Sequence, residues 1–165
     1  MKLLQEKPIE KVTVTEICRS AEINRTTFYK YYDNPYDLME KLQSEFLAQL
    51  EQKLITQSAT DLRPAFQIVL EEAQENLDFF RYLYTDSSDR SFREELFALC
   101  YQPNMERVRK LRPELDEKRQ NWLYFFIAEG LNGILKQWIL NGLEQPAEEI
   151  AEFAENLVER LTTAG

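Results

Sequence analysis

Thr13 to Met39 read TVTEICRSAEINRTTFYKYYDNPYDLM, two short helical segments around a tight turn with a third helix behind them. Each boundary carries a physical marker. Thr13 and Glu16 form a capping box: the Thr hydroxyl accepts the amide at the third helical position and the Glu side chain reaches back to the cap amide, so a helix is predicted from about Val14. Its apolar residues Val14, Ile17, Cys18 and Ala21 recur at three- and four-residue steps and share one buried face. Asn24 is an N-cap for a second helix, Arg25 to Tyr31, in which Phe28 and Tyr32 share a face four residues apart. That leaves Arg25, Thr26, Thr27, Tyr29 and Lys30 to point outward. Asn34 then caps a third helix, with Pro35 at its first position, where a missing amide is no loss, and Asp37 at the third.

This is the layout of a helix-turn-helix. A single helix fits the major groove of B-DNA, and residues near its N-terminus reach base edges while the preceding helix braces it across the backbone. Arg25 can pair bidentately with guanine, and Thr26 and Thr27 can donate to bases or pack a methyl against thymine. Tyr29, Lys30 and Tyr31 can reach phosphates. The spacing alone also fits any small helical protein with a seven-residue helix of this composition.

The longer run VTVTEICRSAEINRTTFYKYYDNPYDLMEKL, Val12 to Leu42, resembles the N-terminal domain of the TetR family of bacterial transcriptional regulators, with that family's Thr-Phe-Tyr-x-Tyr-Tyr/Phe signature at Thr27 to Tyr32. The resemblance covers about a fifth of the chain. It implies that Arg25, Thr26 and Thr27 face bases and that Thr13, Thr15, Tyr29, Lys30 and Tyr31 hold phosphates. Three positions depart from the family's pattern. The turn position usually held by Gly is Glu22, where a left-handed backbone costs of order 1 kcal/mol unless the turn takes another shape. The Lys that commonly opens the next helix is Pro35. Met1 to Lys7 match only the end of the family's first helix, so an N-terminal segment, often basic, is expected to precede them.

Composition bounds the rest. The chain has 165 residues, 44% of them hydrophobic, enough for one DNA-binding domain, residues 1–40, fused to a larger helical domain, residues 41–165. The net charge of −9 argues against a protein that coats nucleic acid nonspecifically. Residues 1–53 hold 8 Lys or Arg and 9 Asp or Glu, so affinity for DNA rests on local placement: Asn24 to Tyr32 contain two basic residues and no acidic one. The absence of His removes the commonest general base and metal ligand. All four Gly lie at 130, 133, 142 and 165, which excludes a phosphate-cradling loop or a dinucleotide fingerprint earlier in the chain. Cys18 and Cys100 are isolated thiols without metal-ligand spacing. No metal, cofactor or catalytic residue is expected. The longest apolar run, Trp122 to Ala128, is too short to span a membrane, and with no secretory signal visible a cytoplasmic protein is expected.

Beyond residue 40 the periodicity is helical throughout, which makes the chain all-α. Leu38, Leu42, Phe46 and Leu50 continue one stripe into a long linking helix, and Leu62, Phe66, Leu70, Ala73 and Leu77 form another behind a cap at Thr60 or Asp61. Asn76 to Tyr84 reads as a short helix ending in the polar loop Thr85 to Asp89. Ser91 to about Leu111 is helical with a kink or break at Pro103. Leu115 to Leu143 is the longest candidate, on the order of 40 Å. Pro146 opens the last helix, in which Ile150, Phe153, Leu157 and Leu161 repeat.

In the long helix Trp122, Phe125, Phe126, Gly130, Gly133, Ile134 and Trp138 occupy more than one face, so one side packs inside and another against a partner. The TetR resemblance implies dimerisation through the last two helices, with Gly130, Ile134, Trp138, Phe153 and Leu157 as interface candidates; the alternative is intramolecular core. A homodimer suits double-stranded operator DNA, because two helices about 34 Å apart read a palindrome. Aromatics including Phe66, Phe79, Phe80, Tyr82, Phe97, Tyr101, Trp122 and Phe126 are either core or the lining of a pocket for a small-molecule effector. Glu129, a carboxylate amid apolar neighbours, needs a partner if buried, either a cationic effector or an internal Arg or Tyr. A ligand-responsive repressor is the leading reading. The alternative is a co-regulator acting through a protein partner bound to the C-terminal helical domain.

Overall fold

The computed structural model describes residues 2–56, 62–85 and 90–163, with the side chains at 2, 5, 90, 91, 93 and 97–104 outside the description. Helices α1 (Lys2–Glu6), α2 (Val14–Ser20), α3 (Arg25–Tyr31), α4 (Pro35–Thr56), α5 (Leu62–Glu75), α6 (Leu77–Thr85), α7 (Arg90–Leu111), α8 (Glu117–Leu140) and α9 (Ala147–Thr163) follow in order, and no strand occurs among the described residues. The capping box is formed: the Glu16 amide donates to Thr13 Oγ1 at 3.3 Å, and the Thr13 amide donates to Glu16 Oε2 at 3.0 Å. Asn24 and Asn34 cap α3 and α4; Asn34 Oδ1 accepts the amides of Tyr36 and Asp37 at 2.9 and 3.1 Å.

The turn after α2 takes the left-handed form. Glu22 has φ 54°, the Ile23 amide donates to Cys18 O at 3.0 Å and the Glu22 amide to Arg19 O at 3.4 Å, the double closure of a Schellman turn. The end of α8 repeats it with Gly142 at φ 85°, where Leu143 donates to Trp138 O at 3.0 Å and Gly142 to Ile139 O at 3.2 Å. Thus α8 stops at Leu140, three residues short of the periodic pattern. Helix α7 runs through Pro103 without a break. The proposed caps at Thr60 and Asp61 and the loop residues 86–89 lie outside the described residues.

Helices α1, α2 and α3 with the start of α4 make a small head, and the remainder of α4 carries it into the body. On α4 the buried residues are Met39, Phe46 and Leu50, whereas Leu42 stays on the surface, so the inward stripe is rotated slightly from the Leu38-Leu42 register. The body closes around an aromatic cluster: Phe46 lies 5.3 Å from Phe79 and 5.5 Å from Phe80, and Phe79 lies 5.5 Å from Phe92, at the tilted and edge-on angles that ring quadrupoles favour. Helix α5 runs through the middle and packs most extensively on α9, while α7 packs on α8. No helix among the described residues is long and apolar enough to cross a membrane.

Candidate DNA-reading head and effector cavity

Helix α3 is anchored by one side chain and locked at both ends. Phe28, 1% exposed, stands edge-on to Tyr29 at 5.5 Å and packs on Tyr32 at the same distance. At the N-terminal end Asn24 Oδ1 accepts the Thr27 amide at 2.8 Å and the Thr27 hydroxyl at 3.1 Å. At the C-terminal end Lys41 of α4 donates to Tyr31 O at 2.7 Å, with its ammonium 5.2 Å above the Tyr32 ring. So fixed, the helix exposes Arg25, Thr26, Thr27, Tyr29, Lys30 and Tyr31; Thr13 and Thr15 at the start of α2 are exposed as well.

The two cations of α3 rest on neighbouring rings: Arg25 lies 6.0 Å from the Tyr29 centroid and Lys30 Nζ 5.5 Å from that of Tyr31. Such solvent-exposed contacts are weak, so a phosphate or base can displace them. Thr13 and Thr27 differ from the other six, because each has its amide and hydroxyl engaged in a cap. Both donors of Thr13 point to Glu16, the hydroxyl at 2.8 Å, so a phosphate bond from Thr13 requires the capping box to release a donor, and a base contact donated by the Thr27 hydroxyl requires it to leave Asn24. Glu16 also pairs with Lys7, and these bonds, Lys7 first and Thr13 second, hold its carboxyl down at about 2. Two further residues belong to this surface and do not stand out in the sequence. Tyr36 is exposed in the first turn of α4, and Lys41 holds the last carbonyl of α3; neither breaks a periodic pattern.

In the body, α5, α7, α8 and α9 enclose a cavity of about 120 Å³. Phe66 lines it with Val69, Val108, Leu131 and Leu135, and its polar groups come from Arg107, Tyr124, Asn132 and Thr162. Arg107 Nη1 is buried at the wall, and Asn132 Oδ1 accepts the Tyr84 hydroxyl at 2.7 Å. Among the described residues no acidic one lines it. Of the other sequence candidates, Trp122, Phe126 and Glu129 are on the surface, the first two 60% and 65% exposed. Helix geometry explains the correction. At about 100° per residue the lining positions Tyr124, Ile127, Ala128, Leu131 and Leu135 form one face of α8, and Trp122, Phe126 and Glu129 fall on the opposite one. Glu129 is therefore in solvent and needs no buried partner. Phe97 and Tyr101 lie outside the described side chains. Phe79, Phe80 and Tyr82 are core.

Helices α8 and α9 each leave large apolar side chains exposed. Trp122, Phe125 and Phe126 stand exposed, and an added Cβ at Gly130 or Gly133 would meet nothing within 4 Å; on α9, Phe153, Leu157 and Leu161 are exposed too. Ile134 is half-buried against the body core. Trp138 does not reach the outer face: it is 3% exposed, and its Nε1 donates to Gln145 O at 2.9 Å. It sits roughly 160° around α8 from Trp122.

Two family descriptions match the chain. "Bacterial regulatory proteins, tetR family" matches residues 1–42 and "Transcriptional regulator C-terminal region" residues 60–160. Among curated proteins the sequence finds no match. Among solved structures the fold is similar to the dihydroxyacetone kinase operon activator DhaS, with a TM-score of 0.68 and 17% identity over 99% of this chain and 91% of the other. It is equally similar to the fatty acid degradation regulator FadR from Bacillus halodurans, with a TM-score of 0.68 and 17% identity over 95% and 89% of the two chains. A helix-turn-helix with its candidate reading residues exposed, a helical body and both matched regions lead to one conclusion: the chain belongs to the tetR family of bacterial regulatory proteins, DNA-binding regulators of transcription.

Proposed function

We propose that the protein is a homodimeric, cytoplasmic repressor that reads a palindromic operator with residues 1–40 and is released when an effector binds residues 41–165. The observation that carries this reading is α3 itself. Its outward residues Arg25, Thr26, Thr27, Tyr29, Lys30 and Tyr31 are exposed together on a helix whose inner side and two ends are fixed, so the recognition surface is organised before DNA arrives. Arg25, Thr26 and Thr27 take base edges; Thr15, Tyr29, Lys30 and Tyr31 take phosphates, joined by Thr13 when the cap opens. The exposed face of α8 and α9, with Phe126, Gly130, Phe153 and Leu157 near its centre, pairs with a second copy, because one short helix reads too few bases for an operator. No enzymatic role is assigned.

Selection of genomic fragments with the purified protein, followed by sequencing and a salt titration on the best fragment, tests it. Enrichment of one short palindrome is expected. Thr27→Ala should relax the sequence preference, and Lys30→Ala should weaken all sequences alike and lower the salt slope by about 1. Failure of a folded dimer to enrich any sequence would sink the repressor reading in favour of a co-regulator acting through a protein partner.

A further inference from the structure

The chemistry of the cavity wall narrows what can occupy it. Its apolar sides come from all four helices, and no Asp or Glu is among the described lining residues, so a cationic effector finds no counter-charge on them. The polar groups present lean the other way. Arg107 brings a permanent positive charge with one nitrogen buried at the wall. Asn132 already accepts through its oxygen from Tyr84, which leaves N–H donors, and the Thr162 hydroxyl donates to Val158 O at 2.8 Å within its own helix. Shape adds a second limit. Val108, next to Arg107, packs on Tyr124, whereas Asn132 lies eight residues further along α8, which separates the two ends by roughly 12 Å. A cavity of about 120 Å³ spread over that length is slender.

We propose that this cavity takes a slender amphiphilic carboxylic acid, its ionised head against Arg107 and its apolar body running between Phe66, Val108, Leu131 and Leu135 toward Asn132. This deepens the effector reading above and rests on the body domain being where the effector binds. A carboxylate suits a planar guanidinium by bidentate hydrogen bonding, and pairing the charge is what makes burying the acid tolerable. The apolar remainder supplies affinity by leaving water.

Isothermal titration and ligand-observed NMR with octanoate, octanamide and octylamine test the head group, and butyrate and palmitate bound the length. Octanoate is expected to bind, with octanamide about tenfold weaker, octylamine silent and both other acids weaker than octanoate. Arg107→Gln should level octanoate with octanamide while circular dichroism keeps the helical signal. Should Arg107→Gln not fold, Leu131→Trp, which fills the cavity, should abolish octanoate binding and spare the operator complex. Equal affinity for acid and amide, or no acid bound by folded protein, overturns the proposal. Operator binding is measured apart: acid preference without DNA enrichment would remove the repressor reading and leave the ligand class standing, and DNA enrichment without acid preference would do the reverse.

Discussion

At the scale of single residues, Glu22 and Glu16 show how one side chain sets the local structure on each side of the first helix of the reading motif. Glu22 holds a left-handed φ of 54° because the turn into α3 closes as a Schellman motif, a conformation in which glycine escapes the Cβ clash. Glu22→Gly is expected to stabilise the fold by about 1 kcal/mol, and Glu22→Ala to give no such gain, in urea denaturation of the two variants beside the parent. Glu16 lies at the other end of α2. Its folded carboxyl titrates near 2 against an ordinary 4.5, first because Lys7 donates to it and then because Thr13 does. The unfolded chain therefore binds the proton more readily, so the Glu16 contribution is complete above about 4.5 and is lost as the pH falls toward 2. Thermal midpoints measured across that window should fall less steeply for Glu16→Gln than for the parent, and added salt should blunt the difference because the pair is solvent-facing. The capping box is legible from Thr13 and Glu16 alone; the sign of φ at Glu22 is not, because a short sequence permits both turn shapes.

Among the elements, α4 joins head and body, and Lys53 ties it to α5. Lys53 of α4 pairs with Glu72 of α5, a carboxylate only 5% exposed that also accepts from the Asn76 side chain at 3.3 Å. Lys53→Met should destabilise by about 1–3 kcal/mol, since it leaves a buried charge with an amide as its remaining close donor, and Glu72→Gln in the same background should recover part of it. Chemical denaturation of the single and double variants reads both terms. Helix α8 shows the limit of periodicity. It is apolar on two opposite faces, and spacing alone does not say which face its own chain covers. The answer lies with α5, α7 and α9: they cover the face of Tyr124, Leu131, Leu135 and Trp138, and the face of Trp122, Phe126 and Glu129 is left outside.

For the whole molecule, that outer face is where the proposed homodimer would close. Phe126→Glu should leave the helical circular-dichroism signal of the single chain unchanged, because the side chain is 65% exposed there. The same change should convert a dimer to monomer in sedimentation equilibrium and abolish operator binding with it. A variant that stays dimeric would move the proposed interface elsewhere. Head and body also touch directly, through α1 against α6 as well as through α4, and α6 carries Tyr84, which bonds to Asn132 at the cavity.

The amino-acid sequence by itself determined the local events. Caps at Thr13, Asn24 and Asn34, the apolar steps of each helix and the cluster of outward polar residues on α3 depend on neighbours within a turn or two, so they are legible residue by residue and suffice for an all-α chain with a helix-turn-helix. The tertiary structure decided everything that depends on rotation about a helix axis or on residues far apart in the chain. It put Glu129 in solvent and Trp138 in the core, brought Arg107 and Asn132 to one cavity 25 positions apart, and gave Glu22 its left-handed turn. Burial is a property of how helices pack against one another, and periodicity specifies only that some face must be covered.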